Sequence, residues 1–312
     1  MKLVRTYLDV APSLKGAAAA IGNFDGVHKG HQAVISNARA AAGRLGAPLG
    51  ILTFEPHPRE FFAPDAAPFR LMSRETRAHR LEKLGVDILY ELSFDAALSG
   101  LGAEAFAAEV LADGLGLRHV VVGQDFLFGK GRSGRAADLP GLGARHGFGA
   151  TLSEMVDFDG LEVSSTRIRT ALSEGRAQAA AEMLGHLHRV DGPVLHGQRR
   201  GRDLGFPTAN MSIDGLHLPR FGVYAVEVDI LSGPHAGTLK GVASVGVRPM
   251  FGENRPNIET FIFDFDGDLY GTHLSVGLVE WLRPEERFDS LDALVAQMQG
   301  DSQRARAILD AR

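Results

Sequence analysis

Near the start of the chain a strand-length apolar run, a glycine-studded turn and a helix-length segment follow one another. That order constrains the fold more than any other stretch. The run is Ala17 to Ile21. The turn is Gly22-Asn23-Phe24-Asp25-Gly26-Val27-His28-Lys29-Gly30-His31-Gln32, and the helical segment is Ala33 to Leu45. Amides at a helix N-terminus point outward and carry partial positive charge, which suits a phosphate. His28 and His31, three residues apart, can face one ligand from the first helical turn. Gly26 and Gly30 leave room for a phosphate to approach the backbone. The same spacing also suits a surface pair or a metal-binding pair, and the histidines alone do not separate these readings. No G-K-[ST] follows and the turn is not G-x-G-x-x-G, which excludes those two nucleotide-binding classes.

The first ~185 residues alternate strand-like and helix-like segments, the pattern of a parallel sheet covered by helices. Ile51 to Phe54, Val86 to Leu92 and His119 to Val122 are apolar runs, with alanine-rich amphipathic stretches such as Ala103 to Leu111 between them. Ligands of such sheets bind beyond the C-terminal ends of the strands. The candidate residues fall there: after Ile21, after Phe54 in Glu55-Pro56-His57-Pro58, and after Val122 in Gly123-Gln124-Asp125-Phe126. Past Leu187 the texture changes. Val190 to Leu195, Val223 to Ile230, Leu239 to Val247, Ile258 to Phe265 and Leu274 to Leu282 read as strands, followed by one helix over Leu291 to Leu309. This predicts a small antiparallel barrel with a C-terminal helix. The predicted fold is thus α/β plus all-β, in domains 1–185 and 186–312 with a boundary near Leu184 to His188. The alanine runs at 17–20, 40–42 and 179–181 read as compositional bias.

Composition narrows the function. A net charge of −5 gives no bulk attraction to nucleic acid or anionic membrane, so any anionic ligand is held by local groups. The absence of cysteine excludes disulfides, thiolate metal sites and cysteine nucleophiles, and fits a reducing cytoplasm. Met1 to Val10 contains Lys2, Arg5 and Asp9 and does not read as a signal peptide. No apolar stretch approaches the ~20 residues of a membrane helix.

Four further segments carry candidate chemistry. Ser164-Ser165-Thr166-Arg167-Ile168-Arg169 joins capping hydroxyls to two arginines, either as a second anion-binding turn or as an ordinary N-cap. Gly123 to Gly134 combines Phe126 and Phe128 with a glycine-rich basic loop. The aromatics either stack on a ring beneath a lid or anchor a surface loop in the core. Gly201-Arg202-Asp203-Leu204-Gly205-Phe206-Pro207-Thr208-Ala209-Asn210 places glycines and basic residues beside a rigidifying proline. Thr208 and Asn210 alternate, so an extended segment directs both to one face as neutral oxygen ligands for a phosphate-bound Mg²⁺. Glu259 lies within an apolar strand, where a carboxylate needs a task or a partner. General base toward an alcohol and ion pairing with Arg248 are the two readings.

Together these segments resemble the bacterial bifunctional riboflavin kinase/FMN adenylyltransferases, also called FAD synthetases. G-N-F-D-G-V-H-K-G-H-Q, F-E-P-H-P, the G-x-D-F-x-F-G-K loop and S-S-T-R-I-R look like the adenylyltransferase module. G-R-D-L-G-F-P-T-A-N, F-G-V-Y, the strand with Glu259, D-L-Y-G, L-R-P-E and L-x-x-Q-M-x-x-D look like the kinase module. The likeness runs in order from about residue 17 to residue 309. It implies phosphorylation of riboflavin to FMN in the second half, with Glu259 as base and Thr208 and Asn210 on Mg²⁺ and ATP phosphates. It implies adenylylation of FMN to FAD in the first half, with His28, His31 and Arg167 stabilising charge. Gly22, Asn23, Phe24, Asp25, Gly30, Ser164, Ser165 and Thr166 are then expected on ATP, as are Gly201, Arg202, Gly205 and Pro207. His57, Asp125, Phe126 and Phe128 are expected on the flavin. Riboflavin, FMN and ATP are the implied partners, with no nucleic acid or membrane, and the expected state is a cytoplasmic monomer or weak homo-oligomer. Gln124, Met250 and Phe261 depart from the family pattern. The rival readings are a single-activity adenylyltransferase on another phosphorylated substrate and a non-catalytic flavin-binding regulator.

Overall fold

The computed structural model describes residues 1–196, 204–232, 235–250 and 253–312. By compactness the chain forms two units: Met1–Ala67 with Arg77–Val163, and Pro68–Thr76 with Ser164–Arg312.

The first unit carries strands β1 (Lys2–Val4), β2 (Ala18–Ile21), β3 (Leu49–Glu55), β4 (Ile88–Ser93) and β5 (His119–Gly123). After these come a short hairpin of β6 (Leu127–Phe128) and β7 (Gly134–Arg135), then β8 (Gly149–Ser153), then a second hairpin of β9 (Asp157–Phe158) and β10 (Leu161–Glu162). Six strands lie in the order β1-β4-β3-β2-β5-β8, all parallel. The chain moves outward from β2 through β3 to β4, then returns to the other flank of β2 as β5. The winding therefore reverses between β2 and β5, where open α/β sheets bind their ligands.

The alanines of β2 are a packing requirement rather than compositional bias. Ala17 to Ala20 are all 0 % exposed. A Cβ on Gly50, in the neighbouring strand, would stand 3.1 Å and 3.2 Å from the Cβ atoms of Ala17 and Ala19 and 3.0 Å from the Tyr90 ring. Larger residues at 17 or 19 would collide there. The helices α1 (Lys29–Leu45), α2 (Pro58–Phe62), α3 (Arg74–Lys83), α4 (Ala96–Gly100), α5 (Ala103–Ala105) and α6 (Leu139–His146) connect the strands. α5 runs on as a π-helix over Phe106–Gly114.

The second unit opens with α7 (Ser165–Ser173) and α8 (Ala177–Leu184). It continues as β11 (His188–Pro193), β12 (Thr208–Ser212), β13 (Gly222–Ile230), β14 (Gly237–Met250), β15 (Glu253–Ile262) and β16 (His273–Arg283), and ends in α9 (Leu291–Asp310). The antiparallel order is β11-β16-β13-β14-β15-β12. The sheet curls until an isolated bridge, Leu195 N–H donating to the Asn210 carbonyl at 2.8 Å, brings the chain just past β11 against β12. Met211, Val226, Val228, Ile258, Val276 and Leu278 fill its interior. Ala305 and Leu309 of α9 cover an outer face formed by Ala225, Val242, Phe263 and Val279. Because α8 packs on β16 and β11, compactness divides the chain at Val163/Ser164, earlier than the change of texture near Leu184 to His188.

Candidate active sites

The turn after β2 occupies the point where the winding reverses. His28 is the N-cap of α1 rather than a residue of its first turn, and its Nδ1 accepts from the His31 N–H at 3.3 Å. The two imidazoles stack with centroids 3.6 Å apart. Gly30 is needed for this: a Cβ there would stand 3.1 Å from the His28 ring. His31 Nδ1 is buried with no partner among the described residues. Burial, then the facing His28, push the His31 imidazole well below its ordinary pKa. His31 is therefore neutral near pH 7. With Nδ1 of His28 accepting, a neutral His28 keeps its proton on Nε2.

The turn itself is strained. Phe24 (φ 51°), Gly26 (φ 86°) and Val27 (φ 42°) are left-handed, and Val27 is β-branched. Phe24 and Val27 are buried, as is Asp25. The Asn23 carbonyl accepts from Thr53 Oγ1 at 3.2 Å and from Arg77 Nη1 at 3.3 Å. Arg77 Nη2 also meets Glu91 and Glu55, each at 2.9 Å. Sequence reasoning passed over Arg77, which sits in a charge-rich segment that reads as a solvated helix face.

Asp125 lies beyond the end of β5, across the reversal from the turn. It is exposed, and its Oδ1 would be 2.8 Å from a Cβ on Gly123. Burial, then the charge of Asp125, raise the Glu162 carboxyl above its usual range. Phe128 is 6 % exposed and packs on Phe106, with centroids 5.8 Å apart. Phe126, half-buried, stacks on Phe128 at 5.6 Å. The basic loop is tied at its base, Lys130 N–H donating to the Leu101 carbonyl at 2.7 Å. His57 caps α2: its Nδ1 accepts from Arg59 N–H at 3.0 Å, and its own N–H donates to Glu60 at 3.1 Å.

Ser164 to Arg169 belong to the second unit. Ser164 Oγ accepts from Arg167 N–H at 3.4 Å and caps α7, with half-buried Ser165 and exposed Thr166 in the first turn. Arg169 is structural: its Nε donates to the Phe69 carbonyl at 2.6 Å and its guanidinium lies over the Phe69 ring.

In the barrel, Asn210 of β12 lies directly opposite Glu259 of β15, and Ser244 of β14 lies on the other side of Glu259. Ala209, Met211, Ile258 and Thr260 face inward, so Thr208, Asn210 and Glu259 share the outer face. Glu259 is thus half-buried rather than sealed in an apolar strand. Among the described residues, Asn257 Nδ2 donates to its Oε1 at 3.4 Å. The Asn210 amide nitrogen donates to the Thr208 carbonyl at 3.3 Å and to Oγ1 at 3.5 Å, leaving Asn210 Oδ1 as a ligand atom. The donor set is oxygen throughout, which suits Mg²⁺ carried on a phosphate. Phe206 packs edge-on to Phe261 at 5.0 Å, and Phe261 packs edge-on to Phe263 at 5.8 Å, so the departure at 261 serves packing. Gly205 (φ 81°) and exposed Pro207 lead into β12. Gly201 and Arg202 lie outside the described residues, as do the side chains of Arg248 and Met250.

The FAD synthetase family profile matches residues 10–167 and the riboflavin kinase profile residues 184–309. The bifunctional riboflavin kinase/FMN adenylyltransferase of Pseudomonas fluorescens is 43% identical over 310 residues, 99% of this chain and 98% of that one. The protein of the same description from Escherichia coli strain K12 is 39% identical over 308 residues, covering 98% and 97%. That from Bacillus subtilis strain 168 is 35% identical over 292 residues, covering 92% and 90%. A solved structure described as a macrolide-efflux protein from Streptococcus pneumoniae superposes with a TM-score of 0.84 at 31% identity, covering 97% of this chain and 98% of that one. Among the described residues, no helix is long and apolar enough to cross a membrane.

Proposed function

The chain belongs to the bifunctional riboflavin kinase/FMN adenylyltransferases, and from that premise we propose how its residues divide the two reactions. The protein makes FMN from riboflavin and ATP, and FAD and pyrophosphate from FMN and a second ATP. In the barrel, the riboflavin 5′-hydroxyl attacks the γ-phosphate of ATP and ADP leaves. Glu259 takes the hydroxyl proton. Thr208 Oγ1 and Asn210 Oδ1 would hold Mg²⁺ there, and the ion supplies neutralisation of phosphate charge. Gly201, Arg202, Gly205 and Pro207 approach the phosphates.

In the parallel-sheet unit, an FMN phosphate oxygen attacks the α-phosphate of ATP, and the bond to pyrophosphate breaks. The nucleophile is already an anion, so positioning and charge stabilisation carry the rate. His31 supplies a neutral imidazole, His28 faces the ligand beside it, and Arg167 supplies a fixed charge. Gly22, Asn23, Phe24, Asp25 and Gly30 cradle the nucleotide, and Ser164, Ser165 and Thr166 at the α7 N-terminus are further candidate ATP contacts. His57, Asp125, Phe126 and Phe128 contact the flavin, Phe126 offering the more exposed ring. The functional domains are 1–185 and 186–312. ATP use in both reactions fits a cytoplasmic enzyme, and the reading is of a monomer or weak homo-oligomer.

One observation carries the adenylyl assignment: the stacked histidines lie on the turn after β2, where the winding of the sheet reverses. Incubation with riboflavin, ATP and Mg²⁺, followed by separation of products, tests the reading. FMN followed by FAD is expected. FMN alone would remove the first site, and neither product would remove both.

A further inference from the structure

Arg77 touches neither histidine, and it reaches the nucleotide turn only through backbone, yet it is 3 % exposed and carries a permanent charge. Among the described residues its guanidinium has three acceptors. Glu91, 2 % exposed, and Glu55 are carboxylates, each at 2.9 Å. Either would serve as counter-charge. The third acceptor is different in kind: the Asn23 carbonyl, at 3.3 Å, is neutral and begins the left-handed stretch Phe24, Gly26, Val27. Left-handed non-glycine residues persist only where their surroundings over-determine them. The donors to that carbonyl, Thr53 of β3 and Arg77 of α3, come from outside the turn. On its other side the guanidinium grips Glu55, the residue before Pro56-His57. One side chain thus spans the loop assigned to the nucleotide and the loop assigned to the flavin.

We infer that Arg77 is a positioning residue for adenylyl transfer, fixing the Asn23 carbonyl so that the strained turn presents His28 and His31 in register with the Glu55–His57 loop. The inference rests on adenylyl transfer residing in this unit.

The test uses the full-length chain and measures two rates on each preparation, FAD from supplied FMN and FMN from riboflavin. Arg77→Lys keeps the charge beside both carboxylates but loses the fork that also reaches Asn23. The kcat for FAD formation should fall roughly 10–100-fold, with KM for FMN and ATP within about threefold and FMN formation unchanged. The double variant Arg77→Met/Glu91→Leu removes the two buried charges together and leaves only the more exposed Glu55, 23% exposed, without Arg77, so the fold survives. FAD formation should stay as low as in Arg77→Lys. Recovery of the wild-type rate would show that Arg77 only neutralises Glu91, and would overturn the inference. So would a parallel loss of FMN formation in Arg77→Lys. Should the double variant not fold, Thr53→Val removes the other donor at nearly constant shape. A kcat loss of about fivefold or more supports the inference, and an unchanged rate overturns it. A wild-type chain that makes FMN but no FAD from FMN defeats the underlying assignment instead, and shows this before any variant is made.

Discussion

Single side chains here do work that their sequence neighbourhood conceals. His188 is an example: it is 3 % exposed at the start of the barrel, and its Nε2 has no partner among the described residues. Burial, followed by the charges of His186 and His217, lowers its pKa to about 3. The folded state therefore keeps His188 neutral, while the unfolded chain takes a proton near its ordinary value of 6.5. Below that value the unfolded state binds more protons, so stability falls with pH, by up to about 1.4 kcal/mol per pH unit, until pH approaches 3. Thermal midpoints measured from pH 7 to pH 5 should drop more steeply for wild type than for His188→Gln. Equal slopes would mean that His188 titrates normally. Arg77 was illegible for a related reason. Arg74-Glu75-Thr76-Arg77-Ala78-His79-Arg80 reads as a charged surface, and only the tertiary fold reveals that Arg77 turns inward. His28 and His31 were legible because glycine, aspartate and histidine concentrate there in a pattern that plain secondary structure does not need.

At the level of elements, two family motifs that the sequence offered without a physical role acquire one. Arg283 of L-R-P-E pairs with Asp301 of the L-x-x-Q-M-x-x-D tail through two oxygens, and Gln297 Nε2 donates to the same carboxylate at 2.9 Å. These contacts pin α9 to the end of β16. The side chains are 16% and 8% exposed, so Arg283→Ala strands a buried carboxylate and should destabilise the barrel by about 3 kcal/mol. Urea unfolding followed by the fluorescence of Trp281 measures this, and a change below about 1 kcal/mol would place the docking of α9 elsewhere. In the other unit, Gly50→Ala pushes a Cβ against Ala17, Ala19 and Tyr90. Overpacking of this kind costs about 1–3 kcal/mol and should appear as a lower thermal midpoint. Of the parallel strands, β2, β3, β4 and β5 were readable from their apolar runs, whereas the short edge strands β1 and β8 carry no such run and were not read. β12 was not read as a strand, because Thr208 to Ser212 carries only alternate apolar residues and follows a loop rich in glycine and arginine. Its pairing with β15 is what sets Asn210 opposite Glu259.

Across the whole molecule the chain passes between its two compact units at Ala67/Pro68, Thr76/Arg77 and Val163/Ser164. Local texture places a boundary only near Leu184 to His188, since a nine-residue excursion such as Pro68–Thr76 leaves no mark on composition. The central claim is that two chemically separate sites share one polypeptide, a hydroxyl being phosphorylated in the barrel and a phosphate adenylylated beside the parallel sheet. Glu259→Gln and His28→Ala test it as a reciprocal pair, each assayed for FMN from riboflavin and for FAD from supplied FMN. Glu259→Gln should lose FMN formation about 10²–10⁴-fold while FAD formation persists, and His28→Ala should show the reverse pattern. Loss of both reactions to the same extent in either variant, with the thermal midpoint unchanged, would contradict the separation of the two sites.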